Sequence, residues 1–321
     1  MCHPEFILPV GRQVSGAPAR RQVCLQSNEM LKLVQHDNLE KFMNVVFFGS
    51  SKYVIPIIEV LQKNFDLVLV ITTEKQTTDP VPAYCIKSKV CYYVVRYFSK
   101  ETLRQLGNVK ATVGVLASFG AIVPIEVLQI FPKGIINIHP SLLPKYRGPT
   151  PVQTVILDGE KVTGVTIIKL DEEIDHGPIL GQEKEEILAT DTAESLYKRL
   201  FKKGANLLLK VLNNYLKGNL NPKAQDHKKA TFTYHLTRQD GHIDVSNATT
   251  AVIKIDRIIR AYYPWPGTWT KLRIANRDVR IKFLPNNKLQ VEGKKPMSYK
   301  DFLNGYPKID KEILKKLSLN L

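Results

Sequence analysis

An α/β fold, a doubly wound and mostly parallel sheet followed by a small β-barrel, is what three features of this 321-residue chain predict. Short apolar β-type runs alternate with stretches of helical spacing from Met43 to about Leu216. The alternation stops at a Gly-, Asn- and Pro-containing stretch, beyond which short β-type runs separated by turn residues dominate. Charge shifts at the same place: from residue 211 onward 21 Lys and Arg face 9 Asp and Glu, in a chain of net charge +16.

The elements follow in order. Residues 1–42 mix His, Pro, Gly and Arg with acidic residues, lack periodicity, and read as an N-terminal extension. They are an appended segment, an upstream start or a targeting peptide; Arg12, Arg20 and Arg21 favour targeting, while Glu5, Glu29, Asp37 and Glu40 oppose it. Met43 to Ser51 opens abruptly as a buried strand running into a Gly turn. Lys52 to Lys63 follows with helical spacing of Val54, Ile57, Ile58 and Leu61. Gly49-Ser50-Ser51 lacks the Gly-x-Gly-x-x-Gly fingerprint, so a dinucleotide is not expected. Further strands are expected at Leu67–Ile71, Tyr92–Val95, Thr112–Leu116, around Ile135–Ile138, and at Val165–Leu170. Helices are expected at Pro82–Lys89 and Lys100–Leu106. Asp191, with Glu194 three residues on, reads as a capping box opening the longest helix. Leu196, Leu200, Leu207, Val211 and Leu216 give that helix an apolar stripe for the sheet.

This divides the chain into a catalytic domain at 43–218, a linker at 219–229, a basic β-barrel at 230–307 and a basic tail at 308–321. Within the barrel, β-type runs are expected in Ala230–Ser246 and Gly267–Gly293, among them Trp269–Ile274, Val279–Phe283 and Leu289–Val291. A basic domain appended to a less charged one is the electrostatic footprint of a polyanion partner, and barrels of the oligonucleotide-binding type carry a basic face. Cys2, Cys24, Cys85 and Cys91 form no Cys-x-x-Cys pair, so neither a zinc site nor a disulfide framework is indicated. No apolar run approaches the ~20 residues needed to cross a bilayer.

The chemistry concentrates in two segments. In Gly134 to Gly148, Ile135, Ile136 and Ile138 read as a buried strand that delivers Asn137 and His139 at its carboxyl end. In Gly164 to Leu180, a second strand is followed by Asp175, just before a Gly-Pro turn. An open α/β sheet collects ligands at the carboxyl ends of its strands, so an amide donor, an imidazole and a carboxylate are positioned to meet. Such a set suits attack by an amine on a carbonyl-type carbon.

These segments resemble the active-site signature of the 10-formyltetrahydrofolate-dependent formyltransferases: an Asn-x-His strand, a Ser-Leu-Leu-Pro-x-x-Arg-Gly loop and a downstream Asp. Ile258 to Trp269 is similar to the Arg-Ala-x-x-Pro-Trp-Pro segment of methionyl-tRNA formyltransferases, and Gly293 to Gly305 to the closing stretch of that family. The resemblance runs from about Met43 to about Gly305.

It implies a formyltransferase-type sheet and transfer of the formyl group of 10-formyltetrahydrofolate to the α-amine of methionyl-initiator tRNA, yielding formylmethionyl-tRNA for translation initiation. Asn137 would stabilise the oxyanion, His139 would assist it or pass a proton, and Asp175 would orient His139 and take the amine proton. The folate donor would meet Phe119, Gly120 and Ile122, and the loop Ser141, Leu142, Leu143, Pro144, Arg147 and Gly148, with Arg147 facing a carboxylate or phosphate. Arg260, Arg273, Arg277 and Arg280 are the candidates for tRNA phosphate, while Trp265 and Trp269 are expected as core anchors. No metal is required. A monomer is expected, in the cytoplasm or, if residues 1–42 target it, in an organelle. Thr72 to Pro82 departs from the family: it is short and holds a single Lys, where the relatives carry a long Gly- and Lys-rich loop. His176 stands where many relatives have Thr. The rival readings are a sugar-nucleotide N-formyltransferase, which the short loop favours, and a non-catalytic RNA-binding relative.

Overall fold

In the computed structural model, which describes residues 43–244, 252–274 and 277–307, a seven-stranded sheet carries the first domain. Its strands are β1 (Asn44–Gly49), β2 (Asp66–Thr72), β3 (Tyr92–Val94), β4 (Val113–Ala117), β5 (Ile135–His139), β6 (Val162–Lys169) and β7 (Ile179–Glu186). They lie in the order β3-β2-β1-β4-β5-β6-β7. The first five in that order are parallel, and β6 and β7 add on antiparallel. Successive strands run outward from β1 on one side, then resume with β4 on the other, which opens the ligand crevice of a doubly wound sheet at the carboxyl ends of β1 and β4.

The helices α1 (Ile55–Asn64), α2 (Pro80–Ser88), α3 (Lys100–Asn108), α4 (Ile125–Ile130), α5 (Pro151–Asp158) and α6 (Ala193–Leu216) accompany these strands. Both faces of the parallel part of the sheet are covered, which is why those strands read as mostly apolar runs. Val45, Phe47, Val115, Ile136, Ile138 and Ile167 pack in one core with Ile57, Leu61, Phe201 and Leu208. Val46, Phe48, Leu69, Ile71 and Ile135 pack in the other with Leu106, Val127 and Phe131. The period of two along β5 therefore sends Ile136 and Ile138 to one face and leaves Asn137 and His139 on the face of Ile135.

Helix α6 lies close against β5 because of Gly204. A Cβ built there would come within 2.8 Å of Ile138 Cγ2 and 3.2 Å of Val165 Cγ2. The apolar stripe of α6 is as expected, but its cap is not. Thr192 is the N-cap, exchanging side-chain and backbone hydrogen bonds with Ser195. Asp191 instead accepts from both terminal guanidinium nitrogens of Arg199, so the Asp191–Glu194 box is replaced by a neighbouring one. Strand β7, polar along most of its length, had no apolar signal and was not expected.

The second domain holds helix α7 (Val252–Ala261), strands β8 (Thr268–Ile274), β9 (Arg277–Leu284), β10 (Lys288–Val291) and β11 (Met297–Ser298), and helix α8 (Tyr299–Gly305). The strands form an antiparallel sheet in the order β11-β10-β9-β8, in keeping with a small barrel-like domain. Ile255, Ile259, Leu272, Ile281, Phe283, Leu289 and Phe302 make its core. Asn286 and Asn287 turn β9 into β10 at φ of 62° and 54°, a conformation that Asn tolerates better than most residues.

Between Ala230 and Asp244 the expected β-type runs do not become strands; the segment holds one 3-10 turn and isolated bridges. Its first part is spent on the first domain, while Ile243 N–H donates to Trp269 O of β8 at 2.8 Å. Arg147 N–H donates to Thr231 O at 2.9 Å, and Thr233 N–H donates to Arg147 O at 2.7 Å. Residues of the expected linker are held likewise, Lys223 and Ile179 exchanging backbone hydrogen bonds of 2.7 and 2.8 Å. The extension at 1–42 and the tail at 308–321 lie outside the described residues. Among those described, no helix is long and apolar enough to cross a membrane.

Candidate active site

Strand β5 ends at His139, and the three expected residues converge there. Asn137 Nδ2 donates to Asp175 Oδ1 at 3.0 Å, and His139 Nδ1 lies 3.4 Å from Asp175 Oδ2. The backbone N–H of Gly148 donates to the same Oδ2 at 2.8 Å. Asp175 sits at φ 48°, a left-handed conformation that Asp adopts more readily than most residues, and this backbone aims its carboxylate at all three partners. Asn137 and His139 are 6% and 4% exposed, and the side chain of Asp175 is the most exposed of the three at 12%. A carboxylate with several donors and little water is strongly oriented.

The ring of His139 reveals its proton inventory. Nε2 lies 2.8 Å from Tyr146 O, and a carbonyl only accepts, so Nε2 carries a hydrogen. Nδ1 faces a carboxylate oxygen, and two bare acceptors would repel at that separation. The contact sets the site's imidazole beside its carboxylate, an ion pair whenever the ring is protonated.

The loop from Ser141 to Gly148 is fixed from beneath. Thr166 Oγ1 donates to Ser141 O at 2.6 Å, and accepts from Leu143 N–H at 3.1 Å and from Gln182 Nε2 at 2.8 Å. Gln182 Nε2 also donates to Leu143 O at 3.0 Å. Gly164 allows the close approach: a Cβ there would come within 2.4 Å of Leu142 Cδ2.

Comparison with known proteins identifies the family. The formyl transferase family model matches residues 43–212. The chain belongs to that family. A methionyl-tRNA formyltransferase of Chloroflexus aurantiacus is 40% identical over 242 residues, covering 71% of this chain and 76% of the relative. Another, from Caldicellulosiruptor saccharolyticus, is 33% identical over 307 residues, 82% of this chain and 97% of the relative. A solved 4-N formyltransferase from Francisella tularensis shares the fold, with a TM-score of 0.62 over 76% of this chain and 98% of its own, at 20% identity.

In this formyltransferase several candidate contacts are placed differently from expectation. Arg147 does not face outward to a carboxylate or phosphate. It is 3% exposed, with Nη2 donating to Gln225 Oε1 and His227 Nδ1, both at 2.8 Å, and its guanidinium over Phe232. Ser141 is fully buried and its Oγ donates to Lys145 O, so it shapes the loop rather than reaching a ligand. Phe119 is buried edge-on against Phe48, while Ile122 is 90% exposed and Gly120 takes φ 73° between them. Leu142 and Pro144 remain partly exposed along the loop. Apolar side chains and a turn open to close approach fit a flat, aromatic ligand.

In the second domain, Arg273, Arg277 and Arg280 are exposed on β8 and β9, Arg280 lying over the Trp269 ring at 4.5 Å. Arg260 is not available in the same way: Nε donates to Asp256 and Nη1 to Asp191 O at 2.9 Å, so it ties the two domains together. Trp265 is 50% exposed, which corrects its reading as a core anchor. Trp269 is half-buried and its Nε1 donates to Arg238 O at 3.0 Å. His176, whose place was unresolved in the sequence, donates from Nδ1 to Asp171 Oδ2 at 2.7 Å and stacks on His227 at 4.0 Å. Gln225, Gln182 and Thr166 escaped sequence reasoning, since a polar residue in a linker or strand carries no periodic signal. Among the described residues no cluster of His, Cys, Asp and Glu could hold a metal ion.

Proposed function

We propose that this formyltransferase moves the formyl group of 10-formyltetrahydrofolate onto the α-amine of methionyl-initiator tRNA. One observation carries the reading. The relative of 33% identity named methionyl-tRNA formyltransferase is matched over 97% of its length, so the likeness includes the basic second domain as well as the Asn137, His139 and Asp175 site.

When bound, the folate supplies a formyl carbon on a nitrogen leaving group, and the amine attacks that carbon. One amide hydrogen of Asn137 is committed to Asp175, which leaves the other to donate to the oxygen as negative charge builds on it. Asp175 is the triad member nearest the mouth, with its side chain 12% exposed, and it takes the proton that the attacking ammonium must lose. His139, whose Nδ1 faces that carboxylate, returns a proton to the departing nitrogen when its ring is protonated. Burial of the triad strengthens each of these interactions.

The reading of a sugar-nucleotide acceptor rests on the short segment from Thr72 to Pro82. That segment is folded onto the sheet: Glu74 accepts from Ser51 N–H at 2.6 Å and from Val81 N–H at 2.8 Å, leaving no long arm for an acceptor stem. The test is formyl transfer to methionyl-initiator tRNA beside a 4-amino-sugar nucleotide. Formylmethionyl-tRNA as the product supports the proposal. Sugar formylation alone overturns it.

A further inference from the structure

Gln225 comes from the segment expected to be a linker, beyond the residues that match the family model. It is 6% exposed and its amide is fully engaged. Nε2 donates to Asp175 O at 2.8 Å and to Gly177 O at 2.7 Å, using both of its hydrogens. Oε1 accepts from Arg147 at Nη2, 2.8 Å, and Nε, 3.3 Å. One side chain thus ties the backbone on which the carboxylate of Asp175 is mounted to the loop whose Gly148 N–H binds that carboxylate.

We propose that Gln225 is a positioning residue for Asp175, acting through the backbone of residues 175–177 and never touching substrate. The inference rests on the reading of Asp175 as the group that takes the amine proton. Three observations carry it. Asp175 holds a left-handed φ of 48°, which the chain keeps only where its surroundings fix it, and Gln225 grips its carbonyl. Gly177 cannot move independently, since a Cβ there would come within 1.8 Å of Lys169 O, so the turn is pinned between β6 and Gln225. Arg147 is buried on uncharged partners. Among the described residues it bonds Gln225 and His227 and no carboxylate, an arrangement that holds the amide of Gln225 in one orientation at the cost of an ion pair. His227 Nδ1 must accept from that cation, so its ring is the Nε2–H form, stacked on His176.

The amide is needed because it donates and accepts at once. Gln225→Glu keeps the acceptor for Arg147 and gains charge there, yet turns both donor contacts into repulsion between carboxylate and carbonyl oxygens. Gln225→Met keeps the size and loses all of them. Both are compared with the full chain in single-turnover transfer to whichever acceptor it formylates, with melting temperature and the ring 15N signals of His139. Expected for Gln225→Glu is a rate about 10- to 100-fold lower, as for other groups that orient a reacting side chain. KM for donor and acceptor should stay within about threefold and the melting temperature should not fall. Gln225→Met should lose rate similarly whatever its stability. Combined with Asp175→Asn, either change should add almost nothing, since both act through one carboxylate. A rate within twofold of the parent overturns the proposal, and so do losses that multiply in the double variant, the mark of a merely structural residue. If the parent chain formylates neither acceptor, the functional reading fails by itself. The His139 signals then decide: altered in Gln225→Glu they uphold the positioning of the pair, unaltered they overturn it.

Discussion

Asn137 and Asp175, 38 residues apart in sequence, are joined by a 3.0 Å hydrogen bond from amide to carboxylate. The bond links the last parallel strand to the turn after the first antiparallel one, because Asn137 lies on β5 and Asp175 follows β6. It leaves the carboxylate with one oxygen shared by Gly148 and His139 and the other held by Asn137.

Asp175→Asn is the direct test of proton transfer. Asn tolerates the left-handed backbone at this position, so the fold should survive. Its amide offers one acceptor oxygen to a site furnished with donors, and it takes no proton from an amine. Transfer should fall by ~10²–10⁴ in single-turnover assays while folate binding, followed by calorimetry, stays near the parent value. Turnover within tenfold would remove Asp175 from the chemistry.

Asn137→Ala separates oxyanion stabilisation from proton transfer. Removal of one preorganised donor should cost ~10²–10³ in rate, with little change in the KM of either substrate. A comparable loss expressed in KM alone would mean that Asn137 serves binding.

Much of this was legible in the sequence. Period and patterning gave the parallel strands because each is covered on both faces and therefore uniformly apolar. Asn137, His139 and Asp175 were legible because polar groups at the ends of apolar runs have little other reason to be there. Arg147 was misread because loop arginines usually face water, and nothing local reveals that residues 78 and 80 positions downstream enclose it. Strand β7, Gln225 and the docking of the stretch after Ala230 on Arg147 were invisible for a related reason: partners far along the chain, not local propensity, fix their conformation.

Gly204→Ala tests how tightly α6 supports the catalytic strand. Helix propensity alone would make the change favourable by about 1 kcal/mol. The new Cβ meets Ile138 Cγ2 at 2.8 Å, and Ile138 is fully packed between Asn137 and His139 in sequence. Overpacking of this kind costs about 1–3 kcal/mol, so the melting temperature should drop by several degrees and the rate should fall with it. An unchanged or raised melting temperature would show that the helix can shift freely.

Asp191 gives the stability a defined acid limb. Burial alone would raise its carboxyl, but the hydrogen bonds from Arg199, Ser195 and Leu188 hold it below the ordinary 3.8. The fold thus favours the ionised form, and the stabilisation is complete above the ordinary value and lost as pH falls through the depressed one. Asp191→Asn should lower the melting temperature at pH 7 by several degrees, since it leaves a partly buried Arg199 with Glu185 as its remaining carboxylate, and this deficit should shrink below pH 3.8. A deficit independent of pH would mean that packing, not charge, is what Asp191 contributes.

Truncation after Gly218 would be a poor test of tRNA binding, because it removes Gln225, Thr231 and Thr233 from the catalytic loop along with the basic sheet. Replacing Arg273, Arg277 and Arg280 together by Gln leaves that loop intact. All three are exposed on two neighbouring strands, so their loss should barely move the melting temperature. If they meet phosphates, affinity for methionyl-tRNA should weaken at low salt and the slope of log affinity against log salt should shallow by up to about three. Single-turnover rate at saturating tRNA should hold. Arg260→Gln is the contrasting case: it breaks contacts to Asp256 and to Asp191 O between the domains, so stability should fall while the salt slope stays. An unchanged slope in the triple variant would move the phosphate contacts off this sheet, and a changed slope in Arg260→Gln would assign them to the junction between the domains.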